Sequence, residues 1–255
     1  MPTGEMRNPP PVVLWSWESQ GECGVKEDSD RKAPAETFKL TPRVVLLACG
    51  LLYAVLYPIV NDVIAATLYD GYSRMDQAVS ELSVTGAPTH AFLTAIGPVF
   101  SLFFIGFGIG VWQSAYEKRS LRLAGALMIA HGAMEFLWMF APMSQREVIA
   151  AGGVTSVDTM HLVLSGATGL FVTAYVATTA LAFGWIFCLY SIATIATALL
   201  FGFLSAQVDK IEAGESTPYM GLLERIGIGA WLLWVAVVAT GLIRRQTREL
   251  RGDDV

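Results

Sequence analysis

Along the chain, apolar residues gather into long runs separated by short polar stretches. A transmembrane helix needs about 20 mostly apolar residues, at about 1.5 Å each, to cross a hydrocarbon core of about 30 Å. Four runs meet that length cleanly, at residues 44–67, 91–114, 121–141 and 222–242. The stretch 159–206 is too long for one ordinary span and carries Gly184 near its middle, so it divides into two helices, 159–180 and 184–206, joined by a tight turn. The pattern predicts an all-α fold: a polytopic membrane bundle of six transmembrane helices over residues 43–245.

Composition agrees, since 54% apolar and 15% charged residues with a mean hydropathy of +0.51 lie outside the soluble range. A formal net charge of −5 excludes a nucleic-acid-coating chain. The three cysteines, Cys23, Cys49 and Cys188, form no even, spaced disulfide framework. Residues 1–42 hold six of the 11 prolines and charges of both signs, which predicts a disordered tail. Its longest apolar stretch is too short for the core of a signal peptide, so the first span is expected to direct insertion.

Orientation follows from Lys and Arg, which are held on the cytoplasmic side. Thirteen of the 17 fall on the side shared by the tail, the 115–121 loop with Arg122, the tight turn, and the C-terminus from Arg244 onward, the terminal stretch 246–255 included. Both termini are therefore expected in the cytoplasm, with the chain in the inner (cytoplasmic) membrane. The opposite loops, 68–90, 142–158 and 207–221, are acidic. Gly106 and Gly110 in the second span have the spacing that lets helices approach closely, and packing within the bundle is preferred to a dimer face.

Ionisable groups at membrane depth are costly and are default candidates for function. Asp62 follows Pro58, which should kink the first span. His131 and Glu135 are four apart and share one helix face in the third. Asp158 and His161 open the fourth span, and Glu224 and Arg225 the sixth. With alternating helix direction all of these fall in one half of the bilayer, the outer half in the orientation above. That convergence predicts a polar cavity with an apolar floor, in which Arg225 would hold an anionic group while the carboxylates and imidazoles orient it.

Other readings compete. Glu135 pairing with Arg225 or a histidine, and Asp62 with a hydroxyl, would simply tie helices together. His131, Glu135, Asp158 and His161 have the ligand types of a zinc site but no compact motif. Ser80 or Ser165 with His161 would suit a hydrolase, yet no Gly-x-Ser-x-Gly elbow is present. No catalytic residue is assigned, and no metal or cofactor is called for.

Between the first two spans, Ser73 and Asp76 are spaced like a helix cap, and Met75, Ala78, Val79 and Leu82 recur at helical spacing until Gly86 and Pro88. A short amphipathic helix is expected there, lying at the outer interface or dipping over the cavity, with Asp76, Ser80 and Glu81 toward the polar side. The stretch from Gly71-Tyr72-Ser73 to Ser80-Glu81-Leu82, followed by a proline and a new span, resembles the bacterial and archaeal membrane family known as domain of unknown function 998. Asp158 with His161, and Gly221-Leu222-Leu223-Glu224-Arg225, look like that family too. The resemblance covers roughly residues 43–245. It implies six helices and brings no activity with it. One departure is that the family often ends its third span in Phe-Pro-x-Asp, where this chain has Phe140-Ala141-Pro142-Met143-Ser144. More distantly, the layout is similar to the damage-regulated autophagy modulator group.

These features lead to a protein that binds, and modifies or senses, a lipid headgroup or small amphiphile, with membrane lipids as partners. The alternatives are an accessory subunit with a membrane-protein partner, and a metal-dependent membrane hydrolase.

Overall fold

The computed structural model describes residues 41–252, and the reading of the N-terminal tail up to residue 40 lies outside them. Six helices are long and apolar enough to cross a membrane. They are α1 (Pro42–Leu68), α2 (His90–Gln113), α3 (Arg119–Phe140), α4 (Ser156–Ala180), α5 (Trp185–Ser205) and α6 (Met220–Arg251). The split of the longest apolar stretch falls in the expected turn: α4 ends at Ala180, and Gly184 in extended conformation caps the start of α5. The sixth helix runs on past residue 245 through Arg251.

Local chemistry explains the helix ends. The Thr41 hydroxyl accepts from the Val44 N–H at 3.3 Å, and Pro42 follows at a position where its missing N–H costs nothing. At the start of α4, Thr155 and Asp158 cap each other reciprocally. Pro58 does not simply kink α1. Its missing donor is absorbed by a π-helical segment, Ile59–Ala65, and the Asn61 side-chain amide donates to the Tyr57 carbonyl at 3.0 Å.

Each helix packs against its neighbours in sequence, and α6 closes the circle on α1. Glycines set the tightest seams. A Cβ at Gly110 of α2 would lie 2.9 Å from the Leu47 backbone nitrogen in α1, and one at Gly125 of α3 would lie 2.6 Å from that of Trp112. The Gly-x-x-x-Gly pair thus serves packing inside the bundle. Backbones on opposite sides of the ring scarcely meet among the described residues. Aromatic side chains fill the middle instead: the Phe104 ring lies 5.1 Å from Tyr53, 5.8 Å from Trp231 and 5.9 Å from Tyr175 between ring centres. Below them Trp234 is fully buried and donates from Nε1 to the Ser191 hydroxyl at 3.1 Å.

At the end of the bundle away from the termini, the loops form a cap. Short helices Arg146–Ala150 and Val208–Glu212 pack on each other, and Ala78, Ile149, Ile211 and Met220 make a small apolar core there. The amphipathic helix expected after Ser73 is replaced by a turn and one 3-10 segment, Val79–Ser83. Tertiary donors are the reason. The carbonyls of Arg74 and Gln77 accept from Arg225, that of Met75 from the Leu222 N–H, that of Asp76 from Arg146 and Thr217, and that of Ala78 from the Tyr72 hydroxyl. With these acceptors engaged elsewhere, the segment does not lay down a regular α-helix of its own. In place it follows the second of the two expectations, over the cavity: Val79, Ser80 and Ser83 face that space, Leu82 is completely buried and Glu81 is 3% exposed.

Candidate functional site

Ion pairs and caps account for four of the nine residues singled out by the sequence. Arg225 donates from Nε to Asp62 Oδ1 at 2.7 Å, from Nη2 to the Tyr72 hydroxyl at 2.8 Å, and from Nη1 to the carbonyls of Arg74, Gln77 and Gly221. The Gly221 position has to be glycine, because a Cβ there would lie 2.1 Å from the Gln77 carbonyl oxygen. Arg225 is thereby spent on this side of the bundle. The expectation that it holds an anionic ligand is corrected, as is the pairing of Asp62 with a hydroxyl.

Glu81 faces Arg146, a cation in the acidic 142–158 loop. Arg146 grips both carboxylate oxygens, Nε on Oε2 and Nη2 on Oε1 at 2.7 Å, and its Nη1 donates to the Thr217 hydroxyl at 2.6 Å. That partner raises the Arg146 guanidinium above its ordinary pKa. Asp76 ties the same cap together: its Oδ2 accepts from the Ser73 hydroxyl and its Oδ1 from the Tyr219 N–H at 3.1 Å. Asp158 accepts from the N–H and hydroxyl of Ser144, at 2.6 and 2.9 Å, besides capping α4. It therefore supplies a carboxylate to the end of α3, where the sequence itself carries no acid.

The other five converge. Ser80, His131, Glu135, His161 and Glu224 line one cavity of about 440 Å³ inside the helix ring, together with Tyr53, Tyr57, Thr168 and Trp231. Its roof is the 3-10 segment with Pro142, and its floor is the aromatic layer around Phe104 and His131. Ser165, Leu199 and Gly202 line the cavity and are also exposed, so its wall is open between α4 and α5.

The polar groups of this cavity are only partly used. Glu135 accepts from the Tyr53 hydroxyl at 2.9 Å, and Glu224 accepts from the Val79 N–H at 2.6 Å, one oxygen engaged in each case. Glu135 thus pairs with neither Arg225 nor a hydrogen-bonded histidine, since His131 Nε2 stands 4.0 Å away. His131 is 1% exposed and caged by Phe104, Phe171, Tyr175 and Trp231, and neither ring nitrogen has a hydrogen-bond partner among the described residues. The Thr168 hydroxyl is likewise unpartnered. His161 Nδ1 lies 2.8 Å from the Ala141 carbonyl, an acceptor, so Nδ1 carries the proton and Nε2 keeps a lone pair.

The zinc reading does not survive this geometry. Among the described residues no three of His, Cys, Asp and Glu come together as a metal would need. Asp158 is held at its cap, apart from the cavity lining. Ser165 donates its hydroxyl to the His161 carbonyl at 2.9 Å, not to the imidazole, and Ser80 points its hydroxyl at Met143 Sδ at 3.9 Å. Neither makes the serine–imidazole hydrogen bond of an activated nucleophile.

The sequence missed Tyr53, Tyr57 and Trp231 as cavity residues, because aromatic residues in apolar runs carry no distinguishing signal. Arg146 and Tyr72 were missed for another reason: their partners lie far along the chain. No curated protein and no solved structure matches the chain. The sequence profile of one family matches residues 47–241, most of the helical bundle and the whole of the cap, and the chain belongs to that family, described as protein of unknown function (DUF998).

Proposed function

We propose that this membrane protein binds a small amphiphile or lipid headgroup in the cavity, which the ligand enters sideways through the helix wall between α4 and α5. The observation that carries the reading is a cavity of about 440 Å³ in whose lining the buried polar atoms of His131, Thr168 and Trp231 Nε1 have no hydrogen-bond partner among the described residues. Buried polar groups are almost always partnered, and those left over mark a place where another molecule completes them. Glu81 and Arg146 hold the cap together above the cavity, and the exposed lining residues Ser165, Leu199 and Gly202 mark the entrance between α4 and α5.

The proposal places the protein in the inner (cytoplasmic) membrane with both termini in the cytoplasm. Lys118, Arg119, Arg122, Arg244, Arg245 and Arg248 lie at the end of the bundle opposite the cap, which supports that orientation.

Native mass spectrometry of the detergent-extracted full chain tests the binding. The expected result is a retained adduct of lipid-like mass that disappears in Gly169→Phe. Gly169 lines the cavity, and a Cβ there meets no atom within 4 Å, so the ring fills the space without a clash at its base. An adduct that persists unchanged in a folded Gly169→Phe protein places the ligand elsewhere and overturns the reading.

A further inference from the structure

We infer that the cavity takes an amphiphile whose head is a protonated amine without an adjoining phosphate. The inference rests on the binding reading above and names the chemical class of its ligand.

The lining is rich in acceptors and holds no lysine or arginine among the described residues. Glu135 and Glu224 bring two carboxylates from opposite sides of the ring, on α3 and α6, and each has only one oxygen engaged by the protein. His161 offers the lone pair of Nε2, because Nδ1 is committed to the Ala141 carbonyl. An independent observation points the same way. His131 lies within the cavity lining, 1% exposed, with both nitrogens free of hydrogen bonds among the described residues. A neutral imidazole so placed has one N–H that needs an acceptor and one lone pair that needs a donor, and an ammonium answers the second.

A carboxylate, sulfate or phosphate head would bring more acceptors and more negative charge into a low-dielectric site that offers no cation, at a large electrostatic cost. The nearest guanidinium, Arg225, is bound to Asp62, Tyr72 and three carbonyls. An ammonium does the opposite: it has donors for the carboxylates and imidazoles and offsets their charge. Trp231 and Tyr57 add ring faces of the kind that attract cations, and the apolar remainder of the lining suits a hydrocarbon tail.

The test uses the full chain in phosphatidylcholine nanodiscs at pH 7 with tritiated dodecylamine, corrected for empty nanodiscs. Saturable binding is expected, with dodecanol, dodecanoate and dihexanoylphosphatidylethanolamine each at least tenfold weaker than unlabelled dodecylamine as competitors. Glu135→Gln and Glu224→Gln are each expected to weaken dodecylamine tenfold or more. Equal competition by dodecanoate, dodecanol or the phosphatidylethanolamine overturns the amine head, as does unaltered dodecylamine binding in both glutamine variants. The competition series on the unaltered chain decides the matter even if neither variant folds. No dodecylamine binding by a chain that retains a lipid-like adduct in native spectra overturns the amine and leaves the cavity reading standing. Absence of both signals overturns the two together.

Discussion

Glu81 and Arg146, 65 positions apart, clasp each other through two hydrogen bonds across the cap, the carboxylate 3% exposed and the guanidinium on its outer side. Removing one partner of a buried pair leaves an uncompensated charge, which typically costs about 3–5 kcal/mol. Arg146→Met should therefore destabilise strongly. The double variant Glu81→Leu with Arg146→Met should be less destabilised than Arg146→Met alone, because the stranded carboxylate is gone. Thermal unfolding of the three proteins in one detergent checks this, and a double variant as unstable as the sum of its parts would contradict it.

Arg225 serves five acceptors from three directions. A lysine keeps the charge but has one point of attachment and three donors, so Arg225→Lys should lose about 2 kcal/mol despite its conservative look. Asp62→Asn should cost less, since the backbone carbonyls and Tyr72 still hold the guanidinium. A ranking in the other order, measured by denaturant midpoint, would show that the ion pair and not the fork of hydrogen bonds does the holding.

Burial pushes the Tyr72 hydroxyl up to about 12, and only the protonated hydroxyl can donate to the Ala78 carbonyl. An unfolded tyrosine ionises near about 10. With the folded value raised, the group's contribution is fully present below about pH 10 and is lost as pH climbs from there toward about 12. Tyr72→Phe should flatten this part of the stability profile. Unfolding midpoints for both proteins between pH 9 and 12 give the comparison, and parallel curves would refute it.

Glycine substitutions should separate by place. Gly221→Ala and Gly125→Ala drive a Cβ to within 2.1 and 2.6 Å of backbone atoms and should each destabilise by about 1–3 kcal/mol, or prevent folding. Gly229→Ala meets nothing within 4 Å in the middle of α6 and should be neutral or stabilising by up to about 1 kcal/mol. Yields of folded protein rank the three, and a poorly folding Gly229→Ala would be the discordant result.

The two cavity histidines should part company. His161→Ala strands the Ala141 carbonyl and should cost about 1 kcal/mol, near the typical value of a polar contact in a membrane bundle. His131→Phe removes two unpartnered nitrogens from an aromatic cage and should leave stability unchanged or raised, while abolishing the retained amphiphile. Destabilisation by His131→Phe with binding intact would reverse the assignment.

The helices were legible because length and apolarity suffice to define a span, and Thr41, Pro42, Gly184 and Thr155 mark their ends by local chemistry. The convergence of His131, Glu135, His161 and Glu224 was legible from depth alone. Depth could not say which way each side chain turns, so Asp62, Glu81, Asp158 and Arg225 were grouped with them although they tie helices and loops together outside the cavity. The first loop misled for a related reason. Its helical spacing is real, but its carbonyls find donors on Arg146, Thr217, Leu222 and Arg225, up to 151 residues away, and no local pattern records a partner at that distance.

Those distant donors also order the events of assembly. The segment over the cavity emerges early in synthesis, yet its backbone is held by groups on the third loop and on the sixth helix, the last to be made. Until α6 has inserted beside α1, the donors of Leu222 and Arg225 are missing from that end, so the roof is completed only when the last helix is in place.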